Sequence, residues 1–356
     1  MAKIHIFNAS HDEALASNTA CYTSSKAASV LEFDLASLPT WWADNGDFVL
    51  VPKGHELDGE VYNGCRLTSV PMWEKVSMIE PWGWDLAVVH RLKRLGAPLE
   101  LLPAKEQIEK WRMLSSRKMS VKILEDVARW NKGTIGQSWW VSEIKEIWSI
   151  FAEFSTLMFK SPWSSSGRGV FKVHESQVES MLPRIAGTIK RYGGIEVEPY
   201  YNRVMDLALE FFVRSTSIDY SGISVFKTSD NGAYAGNWVA DEECLVHLLP
   251  DEIVATLSDV RKSIVSSLSR IYLNHYIGPI GVDMMIVSNH DKLYLHPCVE
   301  VNLRHTMGEV CLYLRDCIHQ SLSVFRLQPV GASFQKKKCL TPGAKKIEAI
   351  ICEDIH

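Results

Sequence analysis

The stretch Gly278–Arg304 reads GPIGVDMMIVSNHDKLYLHPCVEVNLR and contains two apolar runs separated by polar residues. Asn, His and Asp between two apolar runs favour a turn, so the pattern predicts a β-hairpin. Its strands are expected at Ile280–Val287 and Leu293–Asn302, with the turn at Ser288–Lys292. This hairpin is the most informative part of the chain, because its strands also carry acidic residues.

Three polar side chains on this hairpin carry oxygen atoms that suit a hard cation. Alternation along a strand places Glu300 and Asn302 on one face, and the simplest hairpin register adds Asp283 to that face. Two carboxylates and an amide oxygen form the kind of site that Mg²⁺ occupies together with nucleotide phosphates. The alternatives are a solvated strand face and an ion pair with Arg304. Apolar neighbours such as Val301 indicate that the strands are buried, and an unpaired buried carboxylate is costly, which favours a cation.

Composition and charge place the chain among ordinary globular proteins. Its 356 residues are enough for two or three packed units, with 46% hydrophobic and 22% charged residues. The formal net charge of −4 argues against a general nucleic-acid or anionic-membrane binder. No apolar run is long enough to span a bilayer, and the first residues soon turn polar, unlike a secretory signal. Eight scattered cysteines without a CxxC pair fit reduced thiols, so we expect a cytoplasmic protein.

The N-terminal third of the chain predicts a Rossmann-like layer of strands and helices. Lys3–Phe7 is an apolar strand that leads into a helix, and Ser10 and Glu13 have capping-box spacing at the start of that helix. A strand that leads into a helix is a common ligand position, but GxGxxG is absent and the acidic residues would repel a phosphate. His11, Asp12 and Glu13 are therefore either part of a cap or contacts to a substrate amine, and the sequence leaves both open. Further elements are predicted at Phe48–Pro52 (strand), Asp85–Leu95 (helix) and Leu99–Leu102 (strand).

The middle of the chain holds two further groups of polar residues. Ser116–Asn131 predicts an amphipathic helix that opens with Arg117 and Lys118. Leu157–Lys160 predicts a strand that runs into the loop Ser161–Gly169, and a second apolar strand follows. This loop lacks the GK[ST] and the helix of a Walker loop. Its backbone N–H groups and hydroxyls can still hold phosphate oxygens, although an ordinary hairpin turn has the same pattern.

The second half of the chain predicts antiparallel strands, then helices. The strand Ile195–Tyr201 is followed by three more strands, and Asn-Gly at positions 231 and 232 marks a tight turn between the last two. A long helix within Pro250–Ile277 leads into the hairpin, and another helix is predicted at Val310–Phe325. The C-terminal tail carries a run of lysines, whose role the sequence leaves open.

Four of these blocks, in this order, resemble the ATP-grasp superfamily, whose members include D-alanine–D-alanine ligase, glutathione synthetase and biotin carboxylase. The basic pair that opens the helix after Ser116 resembles the family's first nucleotide lysine, and Leu157–Lys160 resembles the strand whose lysine meets the phosphates. Val197–Tyr201 resembles the hinge strand that reads adenine, and Glu300–Arg304 (EVNLR) is similar to the family's metal-binding block. The chain departs from the family in its serine-rich loop and in Leu303, where proline is usual.

The resemblance implies an α/β (α+β) ATP-grasp fold with an N-terminal Rossmann-like, pre-ATP-grasp domain. The expected domains are residues 1–114 for the N-terminal domain, residues 115–325 for the ATP-grasp domain and residues 326–356 for a C-terminal tail. The ATP-grasp domain is expected to have two α+β lobes with a hinge near residues 198–202.

The resemblance also implies the cofactors and the roles of individual residues. ATP is expected, with one or two Mg²⁺ ions, or Mn²⁺ in their place. Lys160 and Lys118 would neutralise phosphate charge, with Arg117 as the alternative to Lys118. Arg304 would steady the transferred phosphoryl group or an acyl-phosphate oxyanion, so Lys160 and Arg304 are the expected catalytic residues. The other expected contacts are Ser164, Ser165, Ser166 and Gly167 for the phosphates, Glu198, Pro199, Tyr200, Tyr201 and Asp206 for adenine and ribose, and Asp283, Glu300 and Asn302 for the metal.

The implied reaction joins a carboxylate to an amine. The carboxylate attacks the γ-phosphate to give an acyl phosphate and ADP, and the amine then displaces phosphate. A kinase-like transfer to a hydroxyl group and a non-catalytic nucleotide- or carbohydrate-binding module are the alternatives. Retention of Lys160, Asp283 and Glu300 argues against the module. The expected partners are small carboxylate and amine substrates, without nucleic acid or membrane, and the sequence distinguishes neither the substrates nor a monomer from a homodimer.

Overall fold

The computed structural model describes residues 2–164, 169–228, 234–318, 322–332 and 336–353. Three residues of the predicted phosphate loop, Ser165, Ser166 and Gly167, and the predicted Asn-Gly turn lie outside the described residues. The helices are α1 (His11–Ser17), α2 (Lys26–Asp34), α3 (Leu86–Arg94), α4 (Lys105–Leu114), α5 (Arg117–Trp130), α6 (Lys145–Phe151), α7 (Val178–Tyr192), α8 (Glu242–Val246), α9 (Asp251–Tyr272) and α10 (Met307–Ile318). The strands are β1 (Ala2–Ile6), β2 (Phe48–Leu50), β3 (Val61–Tyr62), β4 (Cys65–Thr68), β5 (Val76–Pro81), β6 (Trp139–Val141), β7 (Thr156–Lys160), β8 (Val170–His174), β9 (Ile195–Pro199), β10 (Arg203–Val213), β11 (Ile218–Thr228), β12 (Tyr234–Val239), β13 (Gly278–Asn289), β14 (Lys292–Asn302), β15 (Ser323–Pro329), β16 (Lys336–Cys339) and β17 (Ile347–Glu353).

The chain divides into two compact units, each assembled from separate segments. The first unit comprises Met1–Arg112, Ala235–Leu245 and Arg304–His356, and the second comprises Met113–Tyr234 and Val246–Leu303. The predicted ATP-grasp domain, residues 115–325, includes residues 235–245 and 304–325, which these compact units assign to the first unit. The predicted domain limits stay a prediction. The predicted tail contains strands and is part of the first unit rather than an extension.

The first unit contains a five-stranded sheet in the order β3-β4-β2-β1-β5. The strands β4, β2, β1 and β5 run parallel, and β3 pairs antiparallel with β4. Ile4 and Ile6 of β1 pack in an apolar core with Ile79 of β5 and residues of α3. Lys3 and His5 alternate with these isoleucines and therefore lie on the other face. The carboxyl ends of β1 and β5 flank the point where strand order reverses, which is where open α/β sheets bind ligands.

Two predicted elements in the first unit are wrong, and one of its strands was not predicted. β5 is a strand that the sequence pattern did not predict, and its burial does not alternate regularly along VSMIEP. The predicted strand Leu99–Leu102 is a 3₁₀ turn at Leu99–Leu101, in which Leu99 is 71% exposed, while the partly buried Leu101 and Leu102 pack against the core. The predicted helix Val310–Phe325 ends at Ile318, and Ser323 already begins β15.

The predicted capping box at the start of α1 is also wrong. α1 begins at His11, and the side chain of Ser10 makes no capping hydrogen bond. Instead, the backbone N–H and hydroxyl of Ser10 donate to Glu32. Glu13 accepts hydrogen bonds from the backbone N–H and hydroxyl of Ser25 at 3.1 and 2.8 Å and from the hydroxyl of Tyr22 at 2.7 Å. Glu13 therefore fastens the loop that precedes α2.

A buried carboxylate joins the first and last segments of the first unit. Asp34 at the end of α2 is 1% exposed and accepts hydrogen bonds from three consecutive backbone N–H groups. The donors are Lys345 at 2.7 Å, Lys346 at 3.0 Å and Ile347 at 2.8 Å. Ile347 is the first residue of β17, which pairs antiparallel with β15 and β16, and the other two donors directly precede it.

The second unit contains two antiparallel sheets. The smaller sheet has the order β6-β9-β7-β8, and its core is formed by one face of the strands together with α6 and α7. The second sheet contains β14, β13, β10 and β11 in that order, with α5 and α9 packed near β14. No helix in the described part of the chain is both long and apolar enough to cross a membrane.

The predicted hairpin is formed by β13 and β14, with a tighter turn than expected. Both His290 and Asp291 at the turn have positive φ, at 48° and 61°, as a two-residue type I′ turn requires. In the observed register, Asp283 lies opposite Glu300 and Gly281 lies opposite Asn302. The predicted sharing of one face by the three polar residues of the hairpin therefore matches the strand register.

Candidate functional site

A buried lysine and two buried glutamates occupy one face of the smaller sheet of the second unit. Phe159 of β7 and Val197 of β9 point into the apolar core, so the alternating positions Lys160, Glu196 and Glu198 point to the opposite face. The Lys160 Nζ lies 2.8 Å from Glu198 Oε1 and 3.4 Å from Glu196 Oε1. All three side chains are at most 5% exposed. Sheet alternation alone therefore brings a cation and two carboxylates together.

Burial and charge act in opposite directions on this group. Burial lowers the pKa of Lys160, but Glu196 and Glu198 more than offset it, so the pKa of Lys160 is raised and the lysine stays protonated. Burial raises the pKa of Glu198 to about 7, with Glu196 acting in the same direction and Lys160 opposing both. The group therefore holds a fixed positive charge beside a carboxyl that gains or loses a proton near neutral pH.

Arg117 connects this group to the metal-type residues of the hairpin. Ser116 caps α5, which leaves Arg117 as the first helical residue, with its side chain buried. The Arg117 guanidinium donates to Glu300 Oε2 at 2.6 Å and to the hydroxyl of Ser164 at 2.6 Å. Its Nε lies 3.8 Å from Glu196 Oε2. Two cations and three carboxylates thus form one continuous network.

Lys118 lies apart from this network. Its side chain is exposed, and its Nζ lies 5.7 Å from the centre of the Trp140 ring. Between the two basic residues weighed from the sequence, the structure therefore places Arg117, and not Lys118, beside Lys160 and Glu300.

The three predicted metal ligands lie together at the end of the hairpin. Asp283 and Glu300 are register partners, and the Asn302 Nδ2 donates to Asp283 Oδ2 at 3.0 Å. All three side chains are partly exposed. No group of three or more His, Cys, Asp or Glu side chains in the described residues is arranged to hold a metal. A cation here would therefore bind two carboxylates and one amide oxygen, with the remaining positions filled from outside the protein.

The predicted adenine and ribose residues follow Glu198 along the chain. Pro199 is buried and lies opposite Leu157, whereas Tyr200 is 51% exposed and has the Lys172 Nζ 3.6 Å from its ring centre. The Tyr201 hydroxyl accepts a hydrogen bond from the backbone N–H of Gln137 at 2.9 Å.

Asp206 is occupied by side chains of its own sheet. Its Oδ2 accepts from the Thr228 hydroxyl at 2.6 Å and lies 3.2 Å from an Arg203 nitrogen. Burial raises the pKa of Asp206 despite these two contacts.

Arg304 belongs to the first unit and forms a two-pronged ion pair there. Its Nε and one terminal nitrogen lie 3.2 and 3.0 Å from the two carboxylate oxygens of Asp12. Next to it on α1, His11 is buried, and its Nδ1 lies 3.0 Å from Asp85 Oδ2. Gly83 permits this packing, because a Cβ there would lie 2.5 Å from the His11 ring. His11 is therefore a structural contact in this unit, and the proposed catalytic role of Arg304 stays a prediction.

Sequence reasoning missed Glu196 and interpreted His296 as a structural residue. His296 is fully buried, its Nε2 lies 3.9 Å from Glu198 Oε2, and neither ring nitrogen has a hydrogen-bond partner in the described structure. Burial lowers the pKa of His296 to about 3, with Lys160 acting in the same direction, so the ring is neutral. Glu196 could have been found from the sequence, because it lies two residues before Glu198 on the same strand and such residues share a face.

Comparisons with known proteins identify the fold. No protein-family model and no curated protein sequence matches the chain. Biotin carboxylase from Campylobacter jejuni, in a β-γ-ATP complex, is 8% identical with a TM-score of 0.58, over 99% of this chain and 88% of that chain. N5-carboxyaminoimidazole synthetase from Staphylococcus aureus, with ADP, is 15% identical with a TM-score of 0.52, over 100% and 94%. The biotin carboxylase domain of 2-oxoglutarate carboxylase from Hydrogenobacter thermophilus, with MgADP, ADP and bicarbonate, is 12% identical with a TM-score of 0.50, over 78% and 70%.

This chain has the ATP-grasp fold. The predicted resemblance and the predicted α/β fold class are therefore confirmed at the level of the fold. The chemistry of this chain rests on its own side chains.

Those side chains fit a magnesium nucleotide in two respects. The carboxylate and amide oxygens of the hairpin are hard ligands of the type that Mg²⁺ selects. In the buried network, the Oε2 atoms of Glu196 and Glu198 have no hydrogen-bond partner among the described residues. Unmatched buried acceptors are costly, and a ligand that presents N–H groups would satisfy them.

Proposed function

We propose that this chain is an ATP-dependent ligase that joins a carboxylate to an amine through an acyl phosphate and releases ADP and phosphate. The observation that carries the proposal is the network of Lys160, Arg117 and Glu300 within an ATP-grasp fold. Phosphoryl transfer depends mainly on positioning and on neutralisation of charge, and this network supplies fixed cations next to oxygen ligands for a metal.

Different residues of the second unit would bind the metal ion and the phosphates. Asp283, Glu300 and Asn302 would hold Mg²⁺, which neutralises phosphate charge when it is bound. Lys160 and Arg117 are buried cations that would bind phosphate oxygens, since each donates hydrogen bonds and neither gives up its proton near neutral pH. The proposal retains the other predicted nucleotide contacts. These are Ser164 for the phosphates, residues 198–201 for adenine and Asp206 for ribose.

An acceptor test separates the ligase from the alternatives. The protein is incubated with ATP and Mg²⁺ in the presence of a pool of small carboxylic acids, a pool of amines, or both, and ADP release is measured. We expect ADP release to require both pools, because the acyl phosphate forms from the acid and is consumed by the amine. ADP release with a single hydroxyl compound would indicate a kinase, and ATP binding without turnover under every condition would contradict an enzyme.

Glu300→Gln tests the metal assignment. The substitution keeps the shape of the side chain and removes its charge, so we expect the Mg²⁺ concentration needed for half-maximal turnover to rise on the order of a hundred-fold. Asp291→Asn, in the exposed turn of the same hairpin, is the matched control and should leave the Mg²⁺ requirement unchanged. A Glu300→Gln variant with reduced turnover but a wild-type Mg²⁺ requirement would mean that Glu300 supports Arg117 and not a metal.

A further inference from the structure

The polar face of the sheet in the first unit contains a second group of unmatched side chains. His5 on β1 and Glu80 on β5 are register partners, so their side chains lie next to each other. The His5 Nδ1 lies 3.7 Å from Glu80 Oε2, beyond hydrogen-bond distance. Neither atom has a hydrogen-bond partner in the described structure. His5 is 1% exposed and the Glu80 side chain is 22% exposed, but the two unmatched atoms are both buried.

A second histidine faces Glu80 from the segment that follows β14. The His305 Nε2 lies 3.8 Å from Glu80 Oε1, and this nitrogen also lacks a hydrogen-bond partner among the described residues. His305 is 3% exposed and lies between two indole rings, with ring centres 5.1 Å from Trp42 and 5.8 Å from Trp82. Two buried histidines are thus directed at one carboxylate, beside aromatic rings.

The hydrogen-bond pattern indicates that a hydrogen-bond donor is missing between His5 and Glu80. Asp47 accepts N–H groups from the backbone of Lys3 and Asp44, so it also accepts from His5 Nε2, at 3.0 Å. Burial lowers the pKa of His5, which keeps the ring neutral and leaves a lone pair on Nδ1. His5 Nδ1 and Glu80 Oε2 are then two acceptors that face each other. A donor placed against both atoms would satisfy them.

The charge around this group selects the donor. Three carboxylates, those of Asp47, Glu80 and Glu309, lie beside the two histidines, and the nearby cations are Lys3 and a His305 whose pKa is raised by Glu309 and Glu80 despite burial. The Lys3 Nζ lies 3.5 Å from Glu80 Oε2, at the exposed rim. The excess of negative charge disfavours an anion. No described cluster of His, Cys, Asp or Glu side chains is arranged for a metal, which disfavours a metal ion as well.

We propose that His5, Glu80 and His305 form a binding site for a small primary amine in its ammonium form. The ammonium N–H groups donate to His5 Nδ1 and Glu80 Oε2. The site lies at the carboxyl ends of β1 and β5, at the reversal of strand order.

This site deepens the proposed ligase function. A ligase needs an amine substrate, and the assignment of the bound amine as that substrate rests on the proposed function. The binding itself does not rest on it, because it depends on residues of the first unit alone.

Binding is tested on the full chain without nucleotide. The protein is labelled with ¹⁵N-histidine, and the imidazole resonances of His5 and His305 are followed during titration with ethylammonium chloride, ethanol and sodium acetate. We expect a saturable change with ethylammonium and none with ethanol or acetate. Glu80→Gln should weaken the response about ten-fold or more, since a hydrogen bond to a charged group is lost. Glu100→Gln, an exposed carboxylate of the same unit, is the matched control and should leave the response unchanged.

The outcomes distinguish this inference from the proposed function. No saturable change with ethylammonium, or an equal change with ethanol, means that the group holds an ordered water only and overturns the inference. The comparison of amine with alcohol on the wild-type chain decides this even where Glu80→Gln does not fold. Amine binding without amine-dependent ADP release contradicts the ligase alone, and amine-dependent ADP release without a response of His5 and His305 contradicts this site alone.

Discussion

Glu198 combines burial, a like-charged neighbour and an opposite charge in one side chain. Its Oε1 is 2.8 Å from Lys160, whereas its Oε2 faces the neutral ring of His296 and has no hydrogen-bond partner among the described residues. A buried pair of this kind contributes little net stability, because desolvation offsets the attraction between the charges. The buried pair instead holds charged groups in fixed positions away from water, where a ligand with complementary groups can bind to them.

Glu198→Gln should change how stability depends on pH. The pKa of Glu198 is raised from its ordinary 4.5 to about 7, so between these values the folded state binds more protons than the unfolded state. The stability that this proton contributes is fully present below about pH 4.5 and is lost as the pH rises through about 7. Relative to the variant, the free energy of unfolding of the wild type should fall by on the order of 3 kcal/mol as the pH rises over this range.

Hydrogen exchange of the β7 and β9 amides measures this loss locally, and comparison at equal pH cancels the intrinsic exchange rate. Glu179→Gln, exposed on α7, is the control and should follow the wild type. Parallel pH profiles for the wild type and Glu198→Gln would contradict the raised pKa.

At the scale of residues, sequence reasoning placed the polar residues of the hairpin on one face, but it did not identify the partners of the buried charges. Asp283, Glu300 and Asn302 share a face as strand alternation along the apolar runs predicts, whereas the pairing of Asp283 with Glu300 depends on a register shift that was not readable. The choice between Arg117 and Lys118 was not readable. It depends on the position of the first helical residue, which the Ser116 cap fixes, and one residue turns a side chain by about 100° around a helix.

At the scale of elements, the hairpin contains a bulge that the sequence pattern did not reveal. Pairing passes from Asp283 opposite Glu300 to Met285 opposite His296, so a step of two residues on β13 matches a step of four on β14. Pro297 lies in this step, and proline is tolerated there because it has no N–H to donate to a ladder. The bulge lets the Val299 carbonyl face Lys160 Nζ at 3.4 Å.

β5 was unpredictable for a related reason. A strand at the edge of a parallel sheet is recognised by a continuous apolar run or by alternation, and VSMIEP shows neither. Its pairing with β1 is a long-range contact that local sequence does not encode. Glu80 was therefore not recognised as a neighbour of His5.

Asp34→Ala should loosen the C-terminal strands of the first unit. The substitution leaves three N–H groups, those of residues 345–347, without their carboxylate acceptor, and we expect a loss of about 3 kcal/mol in the free energy of unfolding. Hydrogen exchange of β17 reports the loss directly. Asp34→Asn retains one acceptor oxygen and should fall between alanine and wild type. Wild-type protection of β17 in both variants would show that the contact does not hold this segment.

At the scale of the whole molecule, the two compact units should respond to different ligands. A non-hydrolysable ATP analogue with Mg²⁺ should protect residues 113–234 and 246–303 from hydrogen exchange, with the largest effect in β7, β9 and β14. Ligand at about a hundred times its dissociation constant stabilises the binding unit by about 2.7 kcal/mol. Ethylammonium should instead protect β1 and β5. EDTA with the analogue is the control for the metal, and equal protection with and without Mg²⁺ would contradict the hairpin as a metal site.

The bond between Asp34 and the start of β17 has a consequence for how the protein is made. The ribosome delivers Asp34 311 residues before Lys345, whereas the second unit is complete once Leu303 has emerged. At about 5–20 residues per second, α2 is exposed for tens of seconds before its partner exists. The second unit can fold during translation, but the first cannot close until its last segment has been synthesised. During that interval all segments of the second unit have been synthesised, whereas the first unit still lacks β17 and the contact of Asp34 with it.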